Sequence, residues 1–253
     1  MDFLGSRVVV TGATRGIGAA IAHRFAEGGA AVTITGRSRL EDATPGIRQI
    51  RVDSSTLEGA LELAAVAQAD GPVDILINTV GGSSSRGGIA DLTEEDWASA
   101  IQANLMAAVR VDRLLIPGMV EHRFGSIVHI TSIQRRLPMA WSLPYAAVKA
   151  ALTTYSKGLA TELAPAGIRV NAVAPGLVET PAVLERIARR AQSNGLDGND
   201  ARTAEASDLG GIPLGRLGRP EDIAKLVAFL SSKQANWITG VEYIADGGMI
   251  RAV

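Results

Sequence analysis

The stretch Val8-Val9-Val10-Thr11-Gly12-Ala13-Thr14-Arg15-Gly16-Ile17-Gly18 decides the fold of this chain. Its run of β-branched residues is typical of a strand that is buried on both faces of a parallel sheet. Apolar residues then recur at helical spacing up to Gly28-Gly29, which predicts a helix directly after the glycines. A glycine-rich turn between a strand and a helix lets a pyrophosphate approach the backbone, and the helix N-terminus offers free N–H groups. We therefore predict a dinucleotide cradle, with a turn that binds nothing as the alternative. The cradle residues are Gly12, Thr14, Arg15, Gly16, Ile17 and Gly18.

The composition is that of an ordinary α/β protein. The 253 residues, 47% of them hydrophobic and 28 of them glycine, fit one domain over residues 1–253 with a sizeable core. Twenty-five basic residues against 26 acidic ones leave no net field that would attract nucleic acid or an acidic membrane surface. The chain has no cysteine, which excludes disulfides, thiolate zinc sites and a cysteine nucleophile. His23, His122 and His129 are scattered without ligand spacing, so we predict no metal site and a structural role for each histidine.

The sequence shows no signal for export or membrane insertion. Residues 1–7 lack a basic segment followed by an apolar one, and no apolar run reaches the ~18 residues of a membrane helix. The default expectation is a cytoplasmic protein with no membrane partner.

Strand and helix patterns alternate along the rest of the chain. Further strands are predicted over residues 31–35, 48–52, 73–78, 126–131, 168–173 and 237–244. Helices are predicted over residues 57–68, from Thr93 to a break at Pro117-Gly118, over 145–163, over 181–190 and from Pro220 onward. This alternation predicts an α/β fold of the Rossmann type, a doubly wound parallel sheet with helices on both faces.

Two segments differ in amino-acid composition from the rest of the chain. Residues 81–88 are rich in glycine and serine and follow a buried strand, which favours a cofactor-side loop over a flexible linker. Residues 177–217 combine a helix pattern with a turn-rich polar stretch over 193–200. Because a structureless loop of this length is uncommon in a compact domain, we predict a substrate lid over 177–217.

Three residues indicate the chemistry. Ser132 follows the strand predicted over 126–131, and the carboxyl end of a strand is where an open α/β sheet places groups that face a ligand. Tyr145 and Lys149 are four residues apart on the next helix, so their Cβ atoms lie within about 5–6 Å on one face. Because a nearby cation favours the ionised phenol, we expect Tyr145 to exchange a proton near neutral pH. Serine, tyrosine and lysine together indicate carbonyl chemistry.

Asn104 is a further candidate on the long helix that begins at Thr93. It lies among apolar residues, and a buried amide needs hydrogen-bond partners. Either it bridges backbone groups or it holds a catalytic water, and the local sequence does not separate the two.

The residues after the second strand indicate which cofactor is bound. NAD-binding versions of this fold place an acidic residue there, which would repel a 2′-phosphate. This chain has Gly36-Arg37 instead, and a guanidinium binds phosphate in a bidentate, charge-assisted pair. Arg15 can approach the same phosphate from the other side. We predict NADP(H) in preference to NAD(H), the alternative being that both arginines only face water.

Short motifs in order along almost the whole chain resemble those of the short-chain dehydrogenase/reductase family. They are Thr11-Gly12-x-x-x-Gly16-Ile17-Gly18, Asn78-Thr79-Val80-Gly81, Asn104, Ser132, Tyr145-x-x-x-Lys149, Asn171-Ala172-Val173-Ala174-Pro175-Gly176 and Asp246-Gly247-Gly248. The resemblance implies a Rossmann sheet of about seven strands, a nicotinamide cofactor, and hydride transfer between a carbonyl and a secondary alcohol.

The same resemblance implies roles for individual residues. Tyr145 would be the acid/base, and Ser132 would hold the substrate oxygen. Lys149 would lower the pKa of Tyr145 and bind the nicotinamide ribose, while Asn104 would anchor a proton-relay water. Beyond the cradle and Arg37, the implied cofactor contacts are Asp53, Asn78, Gly81, Tyr145, Lys149, Pro175 and Gly176.

One position departs from the family pattern. The family usually shows Asn-Asn-Ala-Gly where this chain has Asn78-Thr79-Val80-Gly81. Threonine forms hydrogen bonds but does not copy the donor and acceptor pair of an amide. The departure therefore places a local stabilising contact in doubt, and leaves the chemistry intact.

The leading hypothesis is an NADP(H)-dependent oxidoreductase for a small or medium-sized ketone or secondary alcohol. Its nearest rival is reduction of a 3-oxoacyl thioester on an acyl carrier protein. Arg135-Arg136 would then meet the anionic substrate or carrier, unless the pair is only solvated. A dinucleotide sensor without turnover needs only the cradle, so the Ser132, Tyr145 and Lys149 set argues against it.

The apolar faces of helices over 97–111 and 145–163, together with the resemblance, predict a homotetramer.

Overall fold

In the computed structural model, which describes residues 3–38, 44–82 and 87–251, seven parallel strands form one sheet. In chain order the strands are β1 (Arg7–Thr11), β2 (Ala31–Thr35), β3 (Ile47–Ile50), β4 (Ile75–Asn78), β5 (Gly125–Ile130), β6 (Ile168–Pro175) and β7 (Glu242–Ala245). Their order across the sheet is β3-β2-β1-β4-β5-β6-β7, so the predicted doubly wound parallel sheet is confirmed.

The direction in which strands are added changes between β1 and β4, and this fixes where a ligand can bind. β2 and β3 extend the sheet from one side of β1, whereas β4 to β7 extend it from the other. In such a sheet a crevice opens outside the carboxyl ends of the two central strands. Here those ends are Thr11 and Asn78, which are paired. The glycine-rich turn after β1 lies at this crevice.

Helices cover both faces of the sheet. They are α1 (Gly16–Glu27), α2 (Leu57–Ala67), α3 (Glu94–Ile101), α4 (Ala107–His122), α5 (Leu143–Leu163), α6 (Pro181–Asn194), α7 (Gly198–Ser207) and α8 (Pro220–Ser231). Within β1, Val8 and Val10 pack into the core formed with α1 and α8, which includes Phe25. Val9 points to the opposite core, which α2, α4 and α5 complete. This alternation explains why the strand needs apolar residues at every position.

A continuous helical region runs from α3 to α4, and Pro117 does not break it. Between the two helices lies a π-helical segment, Gln102–Met106. The predicted break at Pro117-Gly118 is wrong, because α4 ends only at His122, before Arg123 in the left-handed conformation (φ 52°). Pro117 lies on the exposed side of α4, where the backbone carbonyl that it leaves unpaired can bind water.

The segment over residues 177–217 is largely helical. α6 extends beyond the predicted 181–190, and the turn-rich stretch over 193–200 contains the start of α7, which was not predicted. Gly195 (φ 61°) ends α6. Asp197 then caps α7, because its carboxylate accepts hydrogen bonds from the N–H groups of Asn199 and Asp200 at 2.8 Å each. The polar residues that resemble a loop are therefore a short turn and a helix cap.

The two edge strands differ from their predicted bounds. β3 covers Ile47–Ile50 and β7 covers Glu242–Ala245, against predictions of 48–52 and 237–244. Before β7, side chains replace part of the backbone ladder, which continues as hydrogen bonds from the Gly240 N–H to the Val170 carbonyl at 2.7 Å and from the Ala172 N–H to the Val241 carbonyl at 2.9 Å. Thr239 Oγ1 accepts a hydrogen bond from the Val170 N–H at 3.0 Å, and Asn171 Nδ2 donates to the Ile238 carbonyl at 2.9 Å.

Among residues 3–38, 44–82 and 87–251, none of the helices is long and apolar enough to span a membrane. Over the same residues, histidine, aspartate and glutamate side chains form no group of three or more that could hold a metal ion.

Candidate active site

The turn after β1 forms a close-fitting cradle at the crevice. Gly12 (φ 63°) and Gly16 (φ 60°) adopt left-handed conformations, which favour glycine. A Cβ atom at Gly18 would lie 2.6 Å from the Gly12 carbonyl oxygen, so only glycine fits in the first turn of α1. The N-terminus of α1 carries no acidic residue in its first turn and suits a phosphate group. The predicted cradle residues that line the cleft are Gly12, Arg15, Gly16, Ile17 and Gly18.

Thr79 links this cradle to the loop after β4. It occupies the position where the sequence departs from the expected motif. Its hydroxyl donates a hydrogen bond to the Thr11 carbonyl, and its backbone N–H donates to Thr11 Oγ1 at 3.1 Å. Gly18 packs directly against it, since a Cβ atom there would lie 2.7 Å from Thr79 Oγ1. The threonine therefore makes a stabilising contact of its own at the position that was in doubt.

Gly36 and Thr14 join the turns after β2 and β1. A Cβ atom at Gly36 would overlap the methyl group of Thr14, so glycine is needed for the two turns to pack together. Thr14 Oγ1 also lies 3.1 Å from Ser38 Oγ. Thr14 thus supports the outer edge of the cradle and is not among the residues that line the cleft.

Two arginines near this edge are available to an anion. Arg15 and Arg37 are exposed, and neither forms a salt bridge with any residue in the described ranges. Asp53 is held by Ser55, whose backbone N–H and hydroxyl donate to its carboxylate at 3.0 and 2.6 Å. The hydrogen bond from the Ser55 hydroxyl lowers the pKa of Asp53, and the charge of Arg37 adds a smaller effect.

Ser132, Tyr145 and Lys149 meet at the floor of the cleft. Ser132 lies beside Tyr145, where its hydroxyl acts to lower the pKa of the phenol, and Ser132 Oγ accepts a hydrogen bond from the Gln134 N–H at 3.2 Å. Lys149 Nζ lies 5.6 Å from the centre of the Tyr145 ring and donates a hydrogen bond to the Ile130 carbonyl at 2.9 Å. The end of β5 and the first two turns of α5 thus bring the three side chains together.

Burial shifts the pKa values of both Tyr145 and Lys149. It raises the pKa of Tyr145, and the Ser132 hydroxyl offsets only part of that rise. Burial also lowers the pKa of Lys149 from 10.5 to about 8. Desolvation therefore acts against the proton exchange near neutral pH that is expected of Tyr145, and that exchange stays a prediction. At neutral pH the phenol keeps its proton, which is the form that can donate one.

Asn104 lies in the π-helical segment and is 1% exposed. Its Nδ2 donates to the carbonyls of Gly82 and Ala100 at 3.1 Å each, and its Oδ1 accepts from the Gly82 N–H at 2.9 Å. The side chain thus bridges backbone groups, the first of the two alternatives drawn from the sequence. A Cβ atom at Gly81 would overlap Asn104 Oδ1 and lie 3.2 Å from Lys149 Nζ. Glycine therefore lets the loop after β4 approach both side chains.

The side chain of Asn78 does not line the cleft, contrary to its predicted role as a cofactor contact. Its Nδ2 donates to the buried Asp112 carboxylate at 2.8 Å. The same carboxylate accepts from Tyr155 Oη at 2.9 Å and lies 3.1 Å from His129 Nε2. Asn78 is paired with His129 across β4 and β5, and both side chains point toward α4 and α5. The predicted structural role of His129 agrees with this buried cluster.

A cleft of about 1230 Å³ joins the cradle to the Ser132–Tyr145 pair. Pro175 and Gly176, predicted as cofactor contacts, line it at the end of β6, as Gly81 does at the end of β4. Thr180 also lines the cleft and was not predicted. It caps α6 by accepting a hydrogen bond from the Val183 N–H at 3.4 Å. The Thr180-Pro181 pair is the helix-start signal that would have drawn attention to it. Of the predicted loop over 81–88, residues 83–86 lie outside the described residues.

Arg135 is not free to bind an anion. Its guanidinium forms a salt bridge with Glu242 on β7. The Glu242 carboxylate also accepts hydrogen bonds from the hydroxyls of Thr131 and Thr153 at 2.7 Å each. The anion-binding role considered for the Arg135-Arg136 pair therefore falls to the exposed Arg136 alone.

Comparison with known proteins relates this geometry to reductases. A protein-family model described as enoyl-(acyl carrier protein) reductase matches residues 12–250. Among curated proteins, the 3-oxoacyl-[acyl-carrier-protein] reductase of Vibrio cholerae is 34% identical, and the alignment covers 98% of this chain and 99% of the relative.

Solved structures show the same similarity. L-sorbose reductase from Gluconobacter frateurii, complexed with NADPH and L-sorbose, superposes with a TM-score of 0.94 and 33% identity over 100% of this chain and 99% of that one. The 3-ketoacyl-(acyl-carrier-protein) reductase from Brucella melitensis, complexed with NADH, gives a TM-score of 0.85 and 30% identity over 98% and 99% of the two chains. Both neighbours bind a nicotinamide cofactor.

Proposed function

Because this chain belongs to the short-chain dehydrogenase/reductase family, we propose that it reduces a small ketone to a secondary alcohol with NADPH. Membership makes it an oxidoreductase that uses a nicotinamide cofactor and acts on carbonyl and CH–OH groups. To this we add the ketone substrate, the preference for NADPH and the roles of individual residues.

The meeting of the Ser132 and Tyr145 hydroxyl groups in one cleft carries the proposal. Both side chains line the cleft that continues into the phosphate cradle, so a carbonyl oxygen bound to them lies within reach of a cofactor. That oxygen accepts hydrogen bonds from the two hydroxyls, which orients the carbonyl carbon for attack.

Tyr145 acts as the general acid in this scheme. When bound, the nicotinamide cofactor supplies the hydride that attacks the carbonyl carbon. As negative charge develops on the carbonyl oxygen, Ser132 donates a hydrogen bond and Tyr145 transfers its proton. The raised pKa of Tyr145 keeps the phenol protonated until that moment. Lys149 then stabilises the phenolate through its charge.

Lys149 and Asn104 hold the acid in place. One N–H of Lys149 is used by the Ile130 carbonyl, which leaves two for the phenol and the nicotinamide ribose. Asn104 is a positioning residue, because it fixes Gly82 and the neighbouring Gly81 against Lys149 without facing the cleft.

The residues around the cradle fit a dinucleotide carrying a 2′-phosphate. At Gly12 and Gly18 a Cβ atom would crowd the neighbouring backbone, so these residues keep the turn narrow enough for close approach of a pyrophosphate. Arg15 and Arg37 form no salt bridge with another described residue, and their charges suit the 2′-phosphate. Asp53 stays a predicted contact on the adenosine side.

The segment over 177–217 is the substrate lid in this proposal. Within it, α6 and α7 line the cleft and pack on an apolar cluster that includes Ile133, Ile187 and Leu217. Because Ile133 lies outside the lid, this cluster seats the two helices beside the end of β5 and next to Ser132.

A second candidate is reduction of a 3-oxoacyl thioester, which the Vibrio cholerae relative favours. Against it stands the salt bridge that occupies Arg135, which leaves Arg136 as the one exposed cation of this pair for an acyl carrier. The neighbour complexed with NADPH and L-sorbose, a hydroxylated ketone, favours a small ketone for this chain.

The experiment is to follow NADPH oxidation by the purified protein with a panel of small ketones, hydroxylated ketones and acetoacetyl-coenzyme A. We expect turnover of at least one small ketone, with one alcohol formed per NADPH consumed. Higher kcat/KM for the thioester than for every ketone would support the second candidate. NADPH binding without turnover of any carbonyl compound would contradict both, in favour of a dinucleotide sensor.

A further inference from the structure

The lid contributes four charged side chains to the lining of the cleft. Arg186 and Arg190 lie on α6, Glu205 lies on α7 and Asp208 follows it. Glu205 pairs with Arg186 and, at 3.5 Å, with Arg190, which also pairs with Asp208 at 2.5 Å. We call these residues the ion-pair cluster. Its two positive and two negative charges cancel.

Apolar packing, and not the ion-pair cluster, holds the lid against the rest of the domain. Ile187, adjacent to Arg186, packs into the apolar cluster beneath α6 and α7. Glu205 is only 9% exposed, and placing ionised groups in such a position is unfavourable unless their partners compensate. Apolar side chains would have lined this wall without that penalty. A charged wall on the substrate side of the cleft therefore indicates a role in binding.

Arg186 has N–H donors that its partner Glu205 does not use. Its Nε is bonded to Glu205, but its two Nη groups have no hydrogen-bond acceptor within the described part of the chain. The side chain is 22% exposed and lines the cleft, so these N–H groups can reach a ligand there.

Gln134 offers a second donor from outside the lid. It lines the cleft two residues after Ser132, and its Oε1 accepts a hydrogen bond from the buried Ser142 hydroxyl. With the acceptor end fixed in this way, the Nε2 amide is the free end, and no described residue accepts from it. Arg186 and Gln134 are thus two unused donors in the same cleft as the Ser132–Tyr145 pair.

We propose that the substrate is an uncharged ketone bearing several hydroxyl groups, which bind to Arg186 Nη and Gln134 Nε2. This proposal rests on the proposed ketone reduction. Hydroxyl oxygens supply the acceptors that these two donors lack. An acyl chain supplies none, and it would remove water from the ion-pair cluster without replacing the lost hydrogen bonds. A carboxylate would meet no net positive charge, because Glu205 and Asp208 neutralise the two arginines.

The test compares four-carbon ketones that differ only in their substituents. These are erythrulose, which is hydroxylated and open-chain, 2-butanone, which is apolar, and acetoacetate, which is anionic. We expect kcat/KM for erythrulose to exceed that for 2-butanone by at least about tenfold, because hydrogen bonds to charged donors are the stronger ones. The ratio of the two kcat/KM values should fall by about tenfold in Arg186→Met and also in Gln134→Leu.

Arg189→Met is the matched control. Arg189 lies on the same helix, is exposed, and does not line the cleft, so this variant should keep the wild-type ratio. NADPH affinity measured on every variant verifies that the fold is retained, and Gln134→Leu tests the proposal independently if Arg186→Met does not fold.

The outcomes separate this inference from the function on which it rests. Wild-type protein that reduces no ketone at all would overturn both. Wild-type protein that reduces 2-butanone or acetoacetate at least as efficiently as erythrulose would overturn the inference alone. So would an unchanged ratio in Arg186→Met and Gln134→Leu.

Discussion

At the scale of single residues, Lys149 shows a conflict between stability and catalysis. It is 3% exposed, and its one hydrogen bond to a group in the described part of the chain, at 2.9 Å, goes to the Ile130 carbonyl. A buried ammonium with one neutral acceptor is poorly solvated, which is why its pKa falls to about 8. The proposed role beside Tyr145 gives a reason to keep a charge in so unfavourable a position.

Lys149→Met should therefore stabilise the protein while abolishing turnover. The pKa of Lys149 falls from 10.5 to about 8 on folding, so the unfolded chain binds the proton more tightly. The resulting destabilisation is fully present below pH 8 and disappears as the pH rises from about 8 to 10.5. We expect the free energy of unfolding at pH 7 to increase by about 1–3 kcal/mol in the variant, with a smaller gain at pH 10.

Urea unfolding at the two pH values measures this effect. Lys157→Met, an exposed lysine on the same helix, is the control and should change stability by less than about 0.5 kcal/mol. A Lys149→Met variant that is less stable than wild type at pH 7 would show that the charge is well accommodated.

Arg37 carries the prediction of cofactor preference. A guanidinium that binds the 2′-phosphate by even one charge-assisted hydrogen bond should favour NADPH over NADH by at least about tenfold in kcat/KM. Arg37→Ala should reduce that ratio about tenfold, whereas Arg48→Ala, an exposed arginine on β3, should not. Steady-state kinetics with both cofactors decide the point. Equal kcat/KM values in wild type, or an unchanged ratio in Arg37→Ala, would remove Arg37 as the determinant.

Sequence predicts residues of the site best where the partners are close along the chain. Tyr145 and Lys149 are one helical turn apart, and Ser132 follows a recognisable strand, so their meeting could be anticipated. Asn78 and Arg135 could not be placed in the same way. Their partners, Asp112 and Glu242, are 34 and 107 positions away in the sequence, and only the packing of the sheet shows that they meet.

At the scale of elements, Thr79 joins β1 to the loop after β4 beneath the cradle. Thr79→Val keeps the shape of the side chain but leaves the Thr11 carbonyl without its donor, which costs about 1–3 kcal/mol when the group is buried. We expect lower stability and a higher KM for NADPH, because Gly18 rests against the same hydroxyl. Thr79→Ser keeps the hydroxyl and should retain most of both properties. Unfolding and NADPH titration measure the effect, and equal behaviour of the two variants would argue against the hydroxyl.

The differences between the predicted and the observed helices and strands share a cause. A period of apolar residues identifies the central strands and α1, since those strands are almost entirely buried and α1 buries one continuous face. It does not identify α7, whose residues are largely polar and whose start at Asp197 resembles a turn. The same limit applies to β7, where side chains of Thr239 and Asn171 replace part of the backbone ladder. Exposed elements carry little hydrophobic pattern, so their bounds depend on contacts that are distant in sequence.

At the scale of the whole molecule, the exposed face of α5 supports the prediction of a homotetramer. This face carries small residues at helical spacing, namely Ala147, Ala151, Thr154 and Gly158. A Cβ atom at Gly158 would meet nothing within 4 Å, so the position is open in the single chain and would allow another helix to approach closely.

Light scattering on the purified protein should therefore report a tetramer. Gly158→Arg should shift the mass toward smaller species, because a long charged side chain fits the single chain but prevents close helix packing. Glu62→Arg on the exposed side of α2 is the control and should leave the mass unchanged. A monomer in the wild-type sample at micromolar concentration would contradict the prediction.

The proposed mechanism depends on one proton, the one that Tyr145 gives to the substrate oxygen. The most direct test is kcat for NADPH-dependent ketone reduction by Tyr145→Phe, measured together with NADPH affinity. Phenylalanine removes only the hydroxyl, so the fold and the cradle should persist while kcat falls by about 10²–10⁴-fold. A variant that binds NADPH normally and has lost turnover is the predicted result. A variant with near-normal kcat would contradict the assignment of Tyr145 as the acid, and with it the proposed mechanism.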